Sequence, residues 1–352
     1  MIDRERQQKS FLTHANYLRA FSMLCRAPYT PEKLLGVPSW ERDLPALAAH
    51  IRGLGELDPQ SLPAPIAEQV QASLRNAWGT ELLLALGGTL GADDELVRLM
   101  NNWAVVQAYY CCYHGTQALL AARGAKRLEN HRKTQNEFAS LWVTRNLHCP
   151  PWSFGAGARG WCNPPDSQSI DDKINSLTHP NRFNCWSLAG KALRTTREER
   201  GNERVKEERV KKRSRRKQAW EKEQRQRESE GRKRLKEPEF GQPHLTASEK
   251  ARVDERLRPF SVMDYLYRLR IKTNYKDAAM FTEGPEDEDA SIRVHLALSF
   301  LTGCTLLVHE LRIQRLVGEK LVLQWVDDWL GKSGPGAMGL GVARRRDLLE
   351  LR

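Results

Sequence analysis

The sequence predicts a mainly α-helical protein: an antiparallel helical bundle, interrupted by an irregular Trp- and Cys-rich insertion and extended by a long basic helical arm. Three observations carry that expectation. Apolar residues return at spacings of three and four in six separate stretches, Pro and Gly break every regular pattern across residues 146–190, and Lys and Arg crowd into residues 194–236. A hydrophobic share of 40% in 352 residues is enough for at least one sizeable core.

Taken in order, Phe11–Met23 and Ile66–Leu86 read as amphipathic helices, set apart by Pro/Gly clusters at Pro28–Pro38 and Leu57–Pro65. A stronger helix follows Ala92-Asp93-Asp94, where an Asp can cap the first turn, and Gly124 stops it. Its expected stripe is Met100, Trp103, Val106, Tyr110, Tyr113 and Gln117. Lys126–Val143 continues the bundle with Phe138, Leu141 and Trp142 inward. Residues 146–193 are irregular, yet Trp152, Trp161, Phe183 and Trp186 are too much aromatic surface for a disordered linker. Beyond the arm, Thr246-x-x-Glu249 reads as a capping box that opens a helix. A segment from Pro259 to Met280, an acidic loop at Glu283–Asp289, a long helix Ser291–Leu316 and a short one Leu321–Leu330 come next. The end, Ser333–Gly341 and then Ala343-Arg344-Arg345-Arg346, reads as a flexible Gly-rich tail with a basic tip. The expected organisation is an N-terminal helical region (1–90), a helical segment (91–145), the irregular insertion (146–193), the basic arm and linker (194–257), a second helical segment (258–330) and the tail (331–352).

The chain carries 56 Lys+Arg against 44 Asp+Glu, a net +12, and residues 194–236 alone hold 19 against 9, a net +10. Such a local excess favours a polyanion such as RNA, with Lys211, Lys212, Arg213, Arg215, Arg216 and Lys217 set to neutralise phosphates and Trp220 to stack on a base. The opposing reading is a solvated helix whose nine acids offset half the charge. Glu and Arg/Lys at separations of three and four stabilise a single exposed helix, and without apolar a and d positions it forms no coiled coil. The opening MIDRERQQKS lacks an apolar secretion core, and Trp103–Ala122 and Leu296–Val308 are interrupted or too short to cross a bilayer. Seven cysteines without a secretion signal point to reduced thiols. The expectation is a cytoplasmic protein with no membrane segment.

The run Ala108-Tyr109-Tyr110-Cys111-Cys112-Tyr113-His114, then Ala118-Leu119-Leu120, Arg123-Gly124 and a helix opened by His131, resembles the HEPN domain family. Small bacterial members carry an AYYAxFHAxxALLxxxG helix, a helix begun by His, and later an LRxxxDY signature before a long closing helix. The later part appears here as Leu269-Arg270-Ile271-Lys272-Thr273-Asn274-Tyr275, ahead of the helix from Ser291. The resemblance spans roughly residues 95–145 and 258–315 and makes 146–257 an insertion between bundle helices. It implies that the helical segments 91–145 and 258–330 are the first and second halves of one bundle. It implies a four-helix bundle that often forms homodimers. In many members it also implies a metal-independent ribonuclease of toxin–antitoxin or antiviral defence systems, with an antitoxin or other defence protein as partner and no required cofactor.

That chemistry rests on an Arg and a downstream His with four to six residues between them: His moves a proton and Arg holds charge on the phosphate. No Arg here has a His at that spacing. Arg127 and His131 have three residues between them, and Arg145 and His148 have two. At the late position Arg270 is followed by Asn274 and Tyr275, and Asn cannot act as a base near neutral pH. The expected site is therefore Arg270 on phosphate and Tyr275 on RNA, with Asn274, His114 and His131 as further members. The opposing reading makes the histidines buried bundle residues and Tyr109, Tyr110 and Tyr113 core or dimer-interface residues. Two functions stand open: an RNA-binding endoribonuclease, or a non-catalytic nucleic-acid-binding or assembly module. Cys149, Cys162, His179 and Cys185 are zinc-binding types in an irregular segment, so structural zinc is a further expectation, although their spacing matches no standard finger; aromatic packing with free thiols is its rival.

Overall fold

A computed structural model describes residues 4–30, 39–55, 57, 59, 61–89, 94–125, 130–145, 147–158, 161–163, 170–277, 279–285, 288–333 and 341–350. The described chain is mainly helical, with no named β-strand among the described residues. Its centre is α4 (Asp94–Ala122), which packs on α3 (Ala64–Thr89) and on α10 (Glu288–Val317) along most of its length. Around this trio sit α1 (Arg4–Leu24), α2 (Trp40–Gly53) and α8 (Val262–Ile271), with α11 (Glu319–Ser333) and α12 (Val342–Glu350) against α10. Gly115 lets α4 sit close against α10, since a Cβ there would lie 3.0 Å from Leu306 Cδ2.

The expected inward face of the closing helix, Val294, Leu298, Leu301, Thr305 and Val308, is buried. Other apolar residues, among them Phe300, Cys304, Leu306 and Leu307, are buried too. The helix is long and apolar enough to cross a membrane, yet 78% of its apolar window is buried among its neighbours. Being flanked on two sides explains a difference in α4. Trp103 of the expected stripe is 65% exposed, while Val105, Ala108, Cys112 and Leu119 outside it are buried. A helix covered by two partners has no single stripe.

Helix α2 is not among the elements expected from the sequence, because Pro45 inside it resembles a breaker. Ser39 caps α2, and Leu44, Leu47, Ala48 and Ile51 give it an apolar face. Lys126 and Arg127, assigned to the fourth helix, lie outside the described residues. The described helix there is α5 (His131–Phe138), capped by Asn130, and it relaxes into a π-helical turn, Ala139–Thr144. Phe138, Leu141 and Trp142 face inward as expected. Of the four insertion aromatics expected to pack, Trp152 and Trp186 are buried while Trp161 and Phe183 are exposed. Trp152 Nε1 donates to Thr305 Oγ1 of α10 at 3.0 Å, and Trp186 meets the buried Phe154 edge-on at 5.5 Å.

The helix that carries the basic arm begins before the arm itself. Helix α6 runs from Cys185 to Ser229, about 68 Å at 1.5 Å per residue, with its first three turns in the core and the rest solvated. It stops before residue 236, at Gly231, whose φ of 68° lets Arg232 N donate to the Arg227 carbonyl at 2.7 Å. The chain then returns beside the helix. Leu235 N donates to Gln224 Oε1 at 2.7 Å, and Phe240 meets Trp220. The capping box forms: Glu249 N donates to Thr246 Oγ1 at 3.1 Å, and Thr246 N to Glu249 Oε2 at 2.8 Å, opening α7 (Ala247–Glu255). Lys212 holds Glu249 at 2.7 Å, and Arg197 pairs with Asp254, so α7 is fastened along α6.

The acidic loop lies partly outside the described residues, at 286–287, after the single turn α9 (Met280–Glu283). Of the expected tail, 334–340 lie outside them too. The C-terminal end of that tail differs from a flexible basic tip: it is the helix α12, and Arg345 within it is wholly buried between Glu81 of α3 and Glu310 of α10.

Candidate nucleic-acid site

Helix α8 owes its position to its start. Asp264 accepts from Ser261 N at 2.8 Å, which closes the first turn, and takes a forked ion pair from Arg258 (2.6 and 2.8 Å). Arg258 Nε also donates to Asn136 Oδ1 at 2.7 Å, tying α8 to α5. Helix α5 is pinned to α4 by a buried hydrogen bond, Gln117 Nε2 to Thr134 Oγ1 at 2.6 Å. These ties bring Tyr109, Tyr110, Tyr113 and His114 of α4, His131 of α5, and Tyr267 and Arg270 of α8 to one place.

At its centre the Arg270 guanidinium lies over three rings, with centroids at 5.1 Å (Tyr110), 5.4 Å (Tyr109) and 5.6 Å (Tyr267). Each such contact is worth about 0.5–2 kcal/mol according to its desolvation. Its Nε is buried and makes no hydrogen bond, and no carboxylate among the described residues pairs with it. A cation held by rings keeps its full charge for an outside anion. His131 completes the cluster: its Nδ1 shares a 2.8 Å hydrogen bond with the Tyr109 hydroxyl, and its ring lies 4.9 Å from Tyr113 and 5.6 Å from Tyr267. His114 lies 5.3 Å from Tyr113 and stacks on Tyr110 at 6.0 Å.

Burial lowers the His131 pKa and the nearby Arg270 charge lowers it further, so the imidazole is neutral near pH 7 and can take up a proton. Burial likewise raises the Tyr109 hydroxyl against the pull of Arg270, keeping it protonated. Tyr109 is core, whereas Tyr110, Tyr113, His114, His131, Tyr267 and Arg270 all keep part of their surface in solvent.

Three of the five expected catalytic residues, Arg270, His131 and His114, thus come together. Asn274 and Tyr275 do not join them. They sit exposed on the π-helical turn after α8, Tyr275 at 76%, with no ring contact or side-chain hydrogen bond among the described residues. Sequence reasoning missed Tyr267; the signal for it was an aromatic three residues before Arg270, hence on the same helix face.

On the arm, Arg213, Arg215 and Arg216 are exposed and make no ion pair among the described residues, while Lys211 reaches Glu208 (2.8 Å) and Lys217 reaches Glu221 (3.9 Å). Trp220 is half-covered by Phe240, their rings 6.1 Å apart. The four zinc-type residues lie apart. Cys149 is buried beneath Tyr29, Cys162 takes part in a bridge to Ala156, Cys185 opens α6, and His179 meets Arg19 at 2.5 Å on the surface. All seven cysteines are free thiols, and burial raises Cys149 and Cys185 to about 12 and Cys162 to about 11. Among the described residues no three His, Cys, Asp or Glu side chains gather into a group able to hold a metal.

Comparisons with protein-family models, with curated proteins and with solved structures find no match to this chain.

Proposed function

We propose that this is an RNA-binding protein whose Arg270–His131 cluster engages the phosphate backbone and cleaves it without metal, in the manner of a toxin or defence ribonuclease. One observation carries the reading. An Arg with no carboxylate partner and a neutral His, which no sequence spacing provides, meet across α8 and α5 on a shared set of tyrosine rings. In the reaction His131 takes the 2′-hydroxyl proton as the 2′-oxygen bonds to phosphorus. Arg270 holds the charge that develops on the non-bridging oxygens. The bond from phosphorus to the 5′-oxygen breaks, and that oxygen takes a proton from His114 or water.

The second reading, a binding module without chemistry, rests on the hydrogen bond that engages His131 Nδ1 with Tyr109. Labelled single-stranded RNA incubated with the protein in EDTA separates the two. Cleavage that falls by about 10²–10⁴ in His131→Gln, with binding retained, supports the enzyme. Intact RNA, bound with an affinity that falls as salt rises, supports the module. Affinity indifferent to salt would contradict both. In either case Arg270→Ala should weaken binding at least about tenfold, since it removes the one cation in the cluster.

A further inference from the structure

The Arg270 cluster opens at Tyr267 onto a cleft of about 780 Å³ between α5, α6, the end of α7 and α8. The acids in this cleft are already neutralised. Glu203 takes two hydrogen bonds from Arg268 (2.8 and 2.9 Å) and one from Arg200 (2.9 Å), which hold its carboxyl down to about 2; Asp264 is held by Arg258; and Glu208 binds Lys211. Two cationic wall residues remain, Arg132 and Arg256, and neither makes an ion pair or side-chain hydrogen bond among the described residues. A second hollow of about 290 Å³ shares Glu208, Val253 and Arg256 with the first and continues between α6 and α7 past Arg252, Lys212 and Arg215. Arg252 and Arg215 are likewise without ion pairs among the described residues.

The α6 wall of both hollows is one stripe: Arg200, Arg204, Glu208, Lys212 and Arg215 recur at three and four residues. It spans about 22 Å along the axis. Four of its five members are cations, and Arg200, Arg204 and Lys212 among them are held by Glu203, Glu207 and Glu249, which leaves Arg215. With Arg252, Arg256 and Arg132, Arg215 sets a line of cations without ion pairs among the described residues, between the exposed Arg213–Lys217 run and the ring-held Arg270. A line has the charge pattern of a backbone rather than of a single anion.

We propose that the two hollows form one groove that holds a single strand of RNA, its phosphates passing Arg215, Arg252, Arg256 and Arg132 before reaching Arg270. This rests on the RNA-binding reading above. Helix α7, fastened by Lys212–Glu249 and Arg197–Asp254, is the second wall of the groove. A strand that threads between α6 and α7 leaves no room for a paired partner, so the groove is expected to prefer single strands to a duplex.

Binding of oligouridylates from about two to about twelve nucleotides, with a hairpin duplex and polyglutamate as competitors, tests the groove. Affinity should climb with length and then level off. In Arg132→Ala/Arg256→Ala, whose altered residues are exposed or at the cleft wall and unpaired, long strands should weaken about tenfold or more, and their salt slope should become shallower by about two. Their advantage over the dinucleotide should shrink. The groove is overturned if the double variant binds long strands as the parent does, if affinity ignores length, or if the hairpin or polyglutamate competes as well as the strand. No binding of RNA at any length overturns the groove and the RNA-binding reading together.

Discussion

Arg345→Ala should cost about 3–5 kcal/mol of folding stability, because it strips the cation from between two buried carboxylates. The guanidinium is fully buried. Its Nε and Nη2 donate to Glu310 at 2.8 Å each, and Nη2 also donates to Glu81 at 2.9 Å; Nη1 completes the fork on Glu81. Trp78 Nε1 adds a 2.8 Å bond to Glu310. Burial alone would lower the Arg345 pKa, but Glu310 and Glu81 push it up; burial leaves the Glu81 carboxyl above its ordinary value despite Arg345. Without the arginine, two carboxylates face each other in the core, and one must take up a proton or the site must open. Urea unfolding of parent and variant measures the loss, and a difference under about 1 kcal/mol would show that α12 docks by other means. Arg345→Met with Glu81→Gln should recover part of the loss, since it removes a buried charge along with its partner.

A second large effect is expected in acid. His309 is buried in α10 between Phe138 (6.2 Å) and Trp142 (5.8 Å), its Nδ1–H donating to the Thr305 carbonyl at 2.6 Å. Burial lowers its pKa to about 4, from about 6.5 in the unfolded chain. The folded state therefore binds this proton less readily than the unfolded one. The contribution of neutral His309 is complete above pH 6.5 and is lost as pH falls from 6.5 towards 4, by about 3 kcal/mol over that window. His131 and His295, also lowered by burial, add to the slope in the same direction. His309→Gln should flatten the fall in urea midpoint between pH 6.5 and 4, relative to the parent. Parallel curves for the two proteins would mean that His309 titrates normally.

The helical character of the chain was legible because periodicity is a local property. The Thr246–Glu249 capping box, the inward face of Phe138, Leu141 and Trp142, and the apolar face of α10 are all fixed by residues within a few turns of one another. The candidate site was half legible. Tyr109, Tyr110, His114, His131 and Arg270 stood out as residue types in an order, but the order gave no reason for His131 and Arg270 to meet. They meet because Arg258 ties α8 to α5 and Gln117 ties α5 to α4. Arg270 stays with the α4 rings at the end of α8, whereas the π-helical turn beyond it carries Asn274 and Tyr275 into solvent. The groove beside α6 was invisible for a similar reason: nine acids seemed to offset half the arm's charge, and only pairing shows that Glu203 and Glu208 are occupied while Arg256 and Arg132 are not.

The three arginines near the C-terminus mark the division most sharply. By itself the sequence determined that the chain is helical, rich in core and strongly basic in one segment, since composition and spacing decide those. It gave Arg344, Arg345 and Arg346 the same meaning. On a helix, successive side chains turn by about 100°, so neighbours meet different surroundings. Arg344 lies over the Trp40 ring, Arg346 pairs with Asp327 and Glu350 at the surface, and Arg345 alone enters the core. Which of the three is buried depends on Glu81 and Glu310, carboxylates brought from two other helices, and only the tertiary structure sets those beside it.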